Sequence, residues 1–207
     1  MDCGAVGAGP GCGSVVVCVR FEVRLHGPLR VGTGVAEPGV DDTIDPDDPV
    51  PGSSLKGIMR AAARDVLAID PGRITSVFGK AGEPSPWSWS TLVLGDHQIR
   101  PRSQVHIDPD TGTALERGLL TREQLEAEEG SFSIDPLVRS SDVPEWHRWL
   151  LSLAAEAVVS MGAARHRGLG WVTIRCVEWS PSVEPMDLTG EALEARLAGL
   201  RTPVNGR

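Results

Sequence analysis

Residues 51–69 have the sequence PGSSLKGIMRAAARDVLAI, and the fold prediction starts from this stretch. A Pro-Gly pair leads into a segment whose apolar residues recur at helical spacing, which predicts an amphipathic helix with one buried face. The predicted buried positions are Leu55, Ile58, Met59, Ala62, Val66 and Leu67. Ser53 or Ser54 is the predicted N-cap, and Pro71-Gly72 is the predicted end of the helix.

The segments around this helix alternate between strand and helix patterns. Alternation of polar and apolar residues predicts strands at 14–32, 91–99, 131–139 and 171–179. A second helix is predicted over 145–161, an acidic helical piece over 121–129 and a short helix near 190–200. The order strand, helix, strands, helix, strand predicts an α+β fold of the ferredoxin-like type.

Composition limits the function classes. The formal charge is −8, which argues against a protein that binds nucleic acid by overall charge alone. The charges are segregated, however: residues 37–48 hold six acids and no base, whereas residues 56–80 hold five bases and two acids. Any contact with nucleic acid is therefore expected to be local.

The chain carries no signal for a membrane or a disulfide framework. It has no signal-peptide pattern and no apolar run of about 18 residues, so no membrane association is expected. Its four cysteines form no C-x-x-C pair, which favours free thiols in a reducing cytoplasm. Residues 1–13 are expected to form a flexible leader, and residues 180–207 a C-terminal tail.

The start of the first helix is a candidate phosphate site. Free backbone N–H groups and the helix dipole attract anions at a helix N-terminus. The side chains that would assist are Ser53, Ser54, Lys56 and Arg60. The same pattern also fits an ordinary capped helix with solvated cations.

A second candidate is the segment GAARHRGLG at 162–170. Glycines allow the backbone to approach a ligand closely, and the basic side chains supply donors for phosphate or ribose. The candidate residues are Gly162, Arg165, His166, Arg167, Gly168 and Gly170. The segment lacks the G-K-[ST] ending of a Walker loop and is not G-x-G-x-x-G. A basic surface turn remains the alternative.

Clustered aspartates at 41–48 can hold a divalent cation or serve in acid–base chemistry. Their spacing does not fit an EF-hand, and for most of them a solvated loop is the simpler interpretation. The five histidines are scattered, so no general base is assigned, and no ligand spacing supports a zinc site.

Together, PGSSLKGIMR, the Phe78-Gly79 pair, HIDPDTGTA at 106–114 and the closing R-x-R-G-L-G resemble the RAMP superfamily of CRISPR proteins over residues 14–177. The closest resemblance is to the repeated backbone subunits of type III (Csm or Cmr) effectors. It implies a modified RRM-like palm over 14–179 with a thumb-like hairpin inserted at about 82–130. It also implies a groove for guide crRNA, binding of target RNA, stacking of several copies and contact with other effector subunits.

The resemblance also assigns roles to residues. Ser53, Ser54, Lys56 and Arg60 match the guide-binding helix start. Gly162, Arg165, Arg167, Gly168 and Gly170 match the glycine-rich loop. Asp41, with Asp42 as the neighbouring candidate, matches an aspartate that takes part in metal-dependent cleavage of target RNA. The implied cofactor is Mg²⁺ or another divalent cation, with Asp41 as its ligand.

Three alternatives stay open. One is a non-catalytic backbone or capping subunit, which keeps both basic segments and needs no aspartate. Another is a metal-independent guide-processing endoribonuclease that uses a histidine. The last is an unrelated ferredoxin-like domain that binds a small molecule.

Overall fold

The computed structural model describes residues 18–137, 143–179 and 190–203. In the order of the chain, the strands and helices are β1 (Val19–Leu25), α1 (Gly52–Asp65), α2 (Pro71–Phe78), β2 (Trp87–Trp89), β3 (Val93–Leu94), β4 (His97–Ile107), β5 (Ala114–Ala127), β6 (Glu129–Pro136), α3 (Glu145–Glu156), β7 (Val172–Trp179) and α4 (Gly190–Arg201). The leader and residues 14–17 of the predicted first strand lie outside the described residues.

The main sheet has the order β2-β6-β1-β7, with β3 also paired to β6, and its described pairs are antiparallel. This is the βαββαβ topology of a ferredoxin-like fold, in which the β4–β5 hairpin lies between the second and third strand positions. The predicted α+β, ferredoxin-like class with an inserted hairpin is confirmed. The hairpin forms a separate two-stranded sheet and falls within the segment predicted to hold the insertion.

Strand β1 shows why the helices cover one face only. Its residues alternate strictly between buried and exposed. On the buried side Phe21 stacks on Phe132 of β6 with ring centroids 4.9 Å apart, and α1 and α3 pack over this face. The other face carries Arg20, Glu22 and Arg24, which are exposed. The period-two pattern in the sequence therefore predicts correctly which face of the sheet is buried.

Several local predictions are wrong. Pro51 is the N-cap of α1 and makes no side-chain bond, so neither Ser53 nor Ser54 caps the helix. The helix ends at Asp65, and Val66 is 63% exposed instead of buried. Pro71 begins α2 rather than ending α1.

The acidic segment at 121–129 is also different from the prediction. Residues 121–127 belong to strand β5, where each pairs with a residue of β4. Pairing along the hairpin overrides the helix propensity of the sequence EQLEA. The predicted tail helix is present as α4. Among the helices in the described ranges, none is both long and apolar enough to cross a membrane.

Candidate nucleic-acid interface

The aspartate loop is bound to the root of the hairpin. The backbone N–H of Asp41 donates to the carbonyl oxygen of Thr121 at 2.7 Å, and Asp41 Oδ2 accepts from the N–H of Thr121 at 2.7 Å. Asp41 is nevertheless exposed. The structure thus places this predicted catalytic carboxylate at a fixed, solvent-accessible position beside β5.

Asp42 has a different environment. Its carboxylate lies 3.6 Å from Nε of Arg30 and accepts from the N–H of Gly34 at 3.2 Å. Gly32 makes room for it, because a Cβ there would lie 2.4 Å from both carboxylate oxygens. Asp42 therefore compensates a buried arginine, and its carboxylate is engaged within the protein.

Arg30 is the residue at which the aspartate loop and the glycine-rich loop meet. It is 7% exposed, and its carbonyl oxygen accepts from the N–H of Ala163 at 2.7 Å. Burial lowers the pKa of Arg30, the charge of Arg122 lowers it further, and Asp42 opposes both effects. No sequence motif marks Arg30 or Arg122, because three distant segments bring these residues together only in the fold.

The glycine-rich loop is closely packed at both ends. Gly162 and Gly170 have φ of +80° and +74°, and a Cβ would lie 2.5 Å from Arg30 O and 1.9 Å from Met161 O, respectively. Between them, Arg165–Arg167 form one exposed turn of 3₁₀ helix. The packed glycines therefore present the predicted basic side chains Arg165, His166 and Arg167 to solvent.

The start of α1 adjoins strand β2. A Cβ on Gly52 would lie 2.3 Å from the carbonyl oxygen of Trp89, so only glycine fits there. Nζ of Lys56 lies over the Trp89 ring, 5.1 Å from its centroid. Burial lowers the pKa of Lys56, and the neighbouring charge of Arg60 lowers it further. Lys56 is thus a positioned cation held by cation–π attraction.

The two predicted basic segments lie at opposite edges of the main sheet. The start of α1 adjoins β2, at one edge, and the glycine-rich loop precedes β7, at the other. Three interstrand spacings separate these edges, which is roughly 14 Å. A polymer such as RNA can contact both segments, whereas a single phosphate cannot.

A divalent cation fits this site only in part. Within the described ranges, no group of three or more His, Cys, Asp or Glu side chains could hold a metal ion. One Asp41 oxygen is engaged by Thr121, and the Asp42 carboxylate is engaged by Arg30. Because Mg²⁺ is commonly held by one carboxylate together with substrate phosphates, the residues fit a cation that Asp41 shares with bound RNA.

Three of the histidines make polar contacts with neighbouring residues. His26 Nε2 bonds Thr173 Oγ1 at 2.8 Å, His97 Nδ1 bonds the Gly95 carbonyl at 3.1 Å, and His147 accepts from Trp87. In the part of the chain that the structure describes, no histidine bonds a carboxylate that would orient it as a general base. Among the described residues, Cys18 and Cys176 form no disulfide.

Fold and site together define an α+β domain of the ferredoxin-like, RRM type, with a long inserted hairpin and a basic glycine-rich loop that Arg30 connects to Asp42. The chain belongs to the RAMP superfamily, whose family model matches residues 22–173. No curated protein sequence matches it.

Two solved structures are similar in fold. One is a chain of "Type III-B Cmr-beta Cryo-EM structure of the Apo state", with a TM-score of 0.61 and 11% identity over 78% of this chain and 97% of the other. The second is a chain of the Type III-B Cmr-beta complex bound to cognate target RNA, with a TM-score of 0.64 and 11% identity over 79% and 98%.

Proposed function

We propose that this chain is a guide-RNA-binding backbone subunit of a cytoplasmic type III CRISPR effector, and that Asp41 takes part in cleavage of target RNA. The observation that carries this proposal is the attachment of Asp41 to the root of the hairpin in a RAMP fold, next to Asp42, which Arg30 links to the basic glycine-rich loop. The similar Cmr-beta chains come from complexes solved without and with target RNA.

The proposed RNA contacts follow the two basic segments. Lys56 and Arg60 on α1 and Arg165, His166 and Arg167 in the loop serve as phosphate or ribose donors. The charge of −8 resides largely elsewhere, so these few cations carry the electrostatic attraction individually. Each should therefore contribute measurably to affinity.

The proposed role of Asp41 is to act on the ribose 2′-hydroxyl or the adjacent phosphate of a target strand that passes the hairpin. Its Oδ2 is fixed by Thr121, whereas Oδ1 accepts no hydrogen bond from the described residues. A bound divalent cation would supply charge neutralisation at the reacting phosphate. Fixing one carboxylate oxygen in this way orients the other without making it inaccessible.

The matching experiment compares Asp41→Asn with Asp47→Asn in the assembled ribonucleoprotein. Asparagine keeps an oxygen that accepts from Thr121 but removes the charge, and exposed Asp47 is a control on the same loop. We expect Asp41→Asn to lower the cleavage rate about 100-fold or more, while RNA affinity stays within about twofold. Cleavage of target RNA by Asp41→Asn at the wild-type rate would show that the catalytic assignment is wrong.

A second candidate is a backbone subunit that holds RNA without cutting it. The engagement of the Asp42 carboxylate by Arg30 favours it, as does the lack, among the described residues, of a group of three or more side chains that could hold a metal ion. Target RNA that stays intact in the wild-type complex with Mg²⁺ would select this candidate. Cleavage of repeat RNA in EDTA would instead select a metal-independent guide-processing enzyme. The backbone role is tested separately, by counting the protein copies bound to each recovered RNA.

A further inference from the structure

At the root of the hairpin, the buried Arg30 lies beside one carboxylate, and the charges of two further arginines act on it. The side chain of Arg30 is 9% exposed, and its Nε lies 3.6 Å from Asp42 Oδ2 but makes no hydrogen bond. The charges of Arg122 and Arg167 both act on Arg30, and Asp42 is the acid that acts on it. The cluster therefore holds three positive charges and one compensating negative charge.

The backbone fixes the positions of these residues. Asp42 and Arg122 form a parallel β-bridge, and the carbonyl oxygen of Asp42 accepts from the N–H of Glu123 at 3.0 Å. The Gly-rich loop is attached to Arg30 through Ala163, and Arg167 closes the following turn by donating its N–H to Ala164. Arg122 from the hairpin and Arg167 from the loop are thus brought to the same buried arginine.

Two other acidic side chains near this cluster in sequence, those of Glu123 and Asp41, accept hydrogen bonds from backbone N–H groups instead. The Glu123 carboxylate accepts from the N–H of Ile44 at 2.7 Å, and Asp41 accepts from that of Thr121. Alternation along β5 places the side chain of Glu123 on the face opposite Arg122. Among the described residues, neither Arg122 nor Arg167 forms an ion pair. Three positive charges with a single compensating acid indicate a site for an anion that comes from outside the chain.

We propose that Arg122 and Arg167 jointly bind one phosphodiester of RNA at the hairpin root. The buried Arg30 and its partner Asp42 hold the two segments that carry these arginines in place. This inference rests on the proposed function and adds Arg122 to the RNA-binding residues. Arginine suits the role because its planar fork of donors matches phosphate geometry. The bound phosphate lies next to the loop that carries Asp41.

The test measures binding of a fluorescein-labelled 20-nucleotide single-stranded RNA to the full chain by anisotropy, over a series of salt concentrations. The variants are Arg122→Gln, Arg167→Gln and their double. The control is Arg102→Gln, which removes an arginine that stands opposite Arg122 on β4 but is paired with Glu126. Each single variant at the site should lose about tenfold in affinity, and the control should stay within about twofold.

The salt dependence tests whether the two arginines share one phosphate. Loss of one phosphate contact lowers the slope of log affinity against log salt by about 0.7, so the double variant should lose about 0.7 and not about 1.4. A loss near 1.4 would assign the arginines to separate phosphates and overturn the shared site. Equal losses in Arg122→Gln and Arg102→Gln would overturn it as well.

Thermal unfolding without RNA gives an independent readout. Arg122 repels the buried Arg30, so Arg122→Gln should melt at or above the wild-type temperature. A marked fall in melting temperature would give Arg122 a structural role and overturn the inference. If the wild-type chain binds RNA and Arg122→Gln binds it with the same affinity, this inference alone is overturned. If the wild-type chain does not bind RNA, the proposed function is overturned too.

Discussion

The indole Nε1–H of Trp87 donates to Nδ1 of His147 at 3.2 Å, although the two residues are 60 positions apart in the chain. Both side chains are buried, and the bond joins the second strand position of the sheet to helix α3. Burial lowers the pKa of His147 to about 4, so the imidazole is neutral and able to accept.

The first prediction is a loss of stability in mild acid. The unfolded chain binds a proton at His147 near pH 6.5, whereas the folded chain does so only near pH 4. The stabilisation is therefore complete above pH 6.5 and is lost as the pH falls from 6.5 toward 4, by on the order of 3 kcal/mol. Urea denaturation at several pH values measures it. His147→Gln should flatten this dependence, while the exposed control His106→Gln should leave it unchanged; equal pH dependence in both variants would contradict the assignment.

The second prediction separates backbone strain from steric clash in the glycine-rich loop. Gly168 and Gly170 both have positive φ, but a Cβ meets nothing within 4 Å at Gly168 and lies 1.9 Å from Met161 O at Gly170. Gly168→Ala should cost about 1 kcal/mol of unfolding free energy and Gly170→Ala clearly more, about 3 kcal/mol. Chemical denaturation gives both values. Similar costs for the two substitutions would show that the close approach to Met161 is unimportant.

A third prediction compares two glycines of α1 whose replacement should act in opposite directions. Gly52→Ala places a methyl group 2.3 Å from Trp89 O and should destabilise the protein by about 2 kcal/mol. Gly57→Ala lies in the same helix with open space around it and should stabilise by up to about 1 kcal/mol. Thermal and chemical denaturation should report opposite signs, and two changes of the same sign would argue against the packing of α1 on β2.

The fourth prediction concerns Lys56. Because Trp89 holds its ammonium group in place, Lys56→Gln should lower the slope of log RNA affinity against log salt by about 0.7. Arg64→Gln is the matched control, since Arg64 lies on the same helix but is exposed and paired with Asp65 at 2.7 Å. Titrations of single-stranded RNA at several salt concentrations measure both. Equal slopes for the two variants would remove α1 from the proposed RNA path.

Local sequence patterns are sufficient to predict the main sheet and the helix that packs on it. Alternation in β1 and the stripe of Leu55, Met59 and Ala62 in α1 depend on neighbours within the same element, and the structure agrees with both. The start of α2 also carries a signal in the sequence: Asp70, just before Pro71, caps the helix by accepting a hydrogen bond from the N–H of Arg73. A proline at the first turn begins a helix as readily as it ends one.

The hairpin and the surroundings of Arg30 depend on contacts between segments that are distant in the sequence. The EQLEA part of β5 has good helix propensity, and only its partner β4 makes it a strand. Arg30 follows β1 with no motif around it, and its importance comes from Asp42, Arg122 and Ala163, which the sequence alone cannot place beside it. The predicted RNA-binding and catalytic roles remain predictions until the variants are measured.

The ties at the hairpin root divide β5 into a fixed part and a free part. Leu125 exchanges backbone hydrogen bonds with Leu29, and Thr121 is bonded to Asp41 through one backbone bond and one bond to the Asp41 carboxylate. The outer part, Ala114 to Leu120, is joined to β4 through Ala114, Leu119 and Leu120. At strand spacing, this outer part projects roughly 23 Å. Its length is therefore a quantity that insertion or deletion of residue pairs can alter while the palm stays intact. The length of the outer hairpin can therefore be engineered without changing the contacts that attach the hairpin to the rest of the domain.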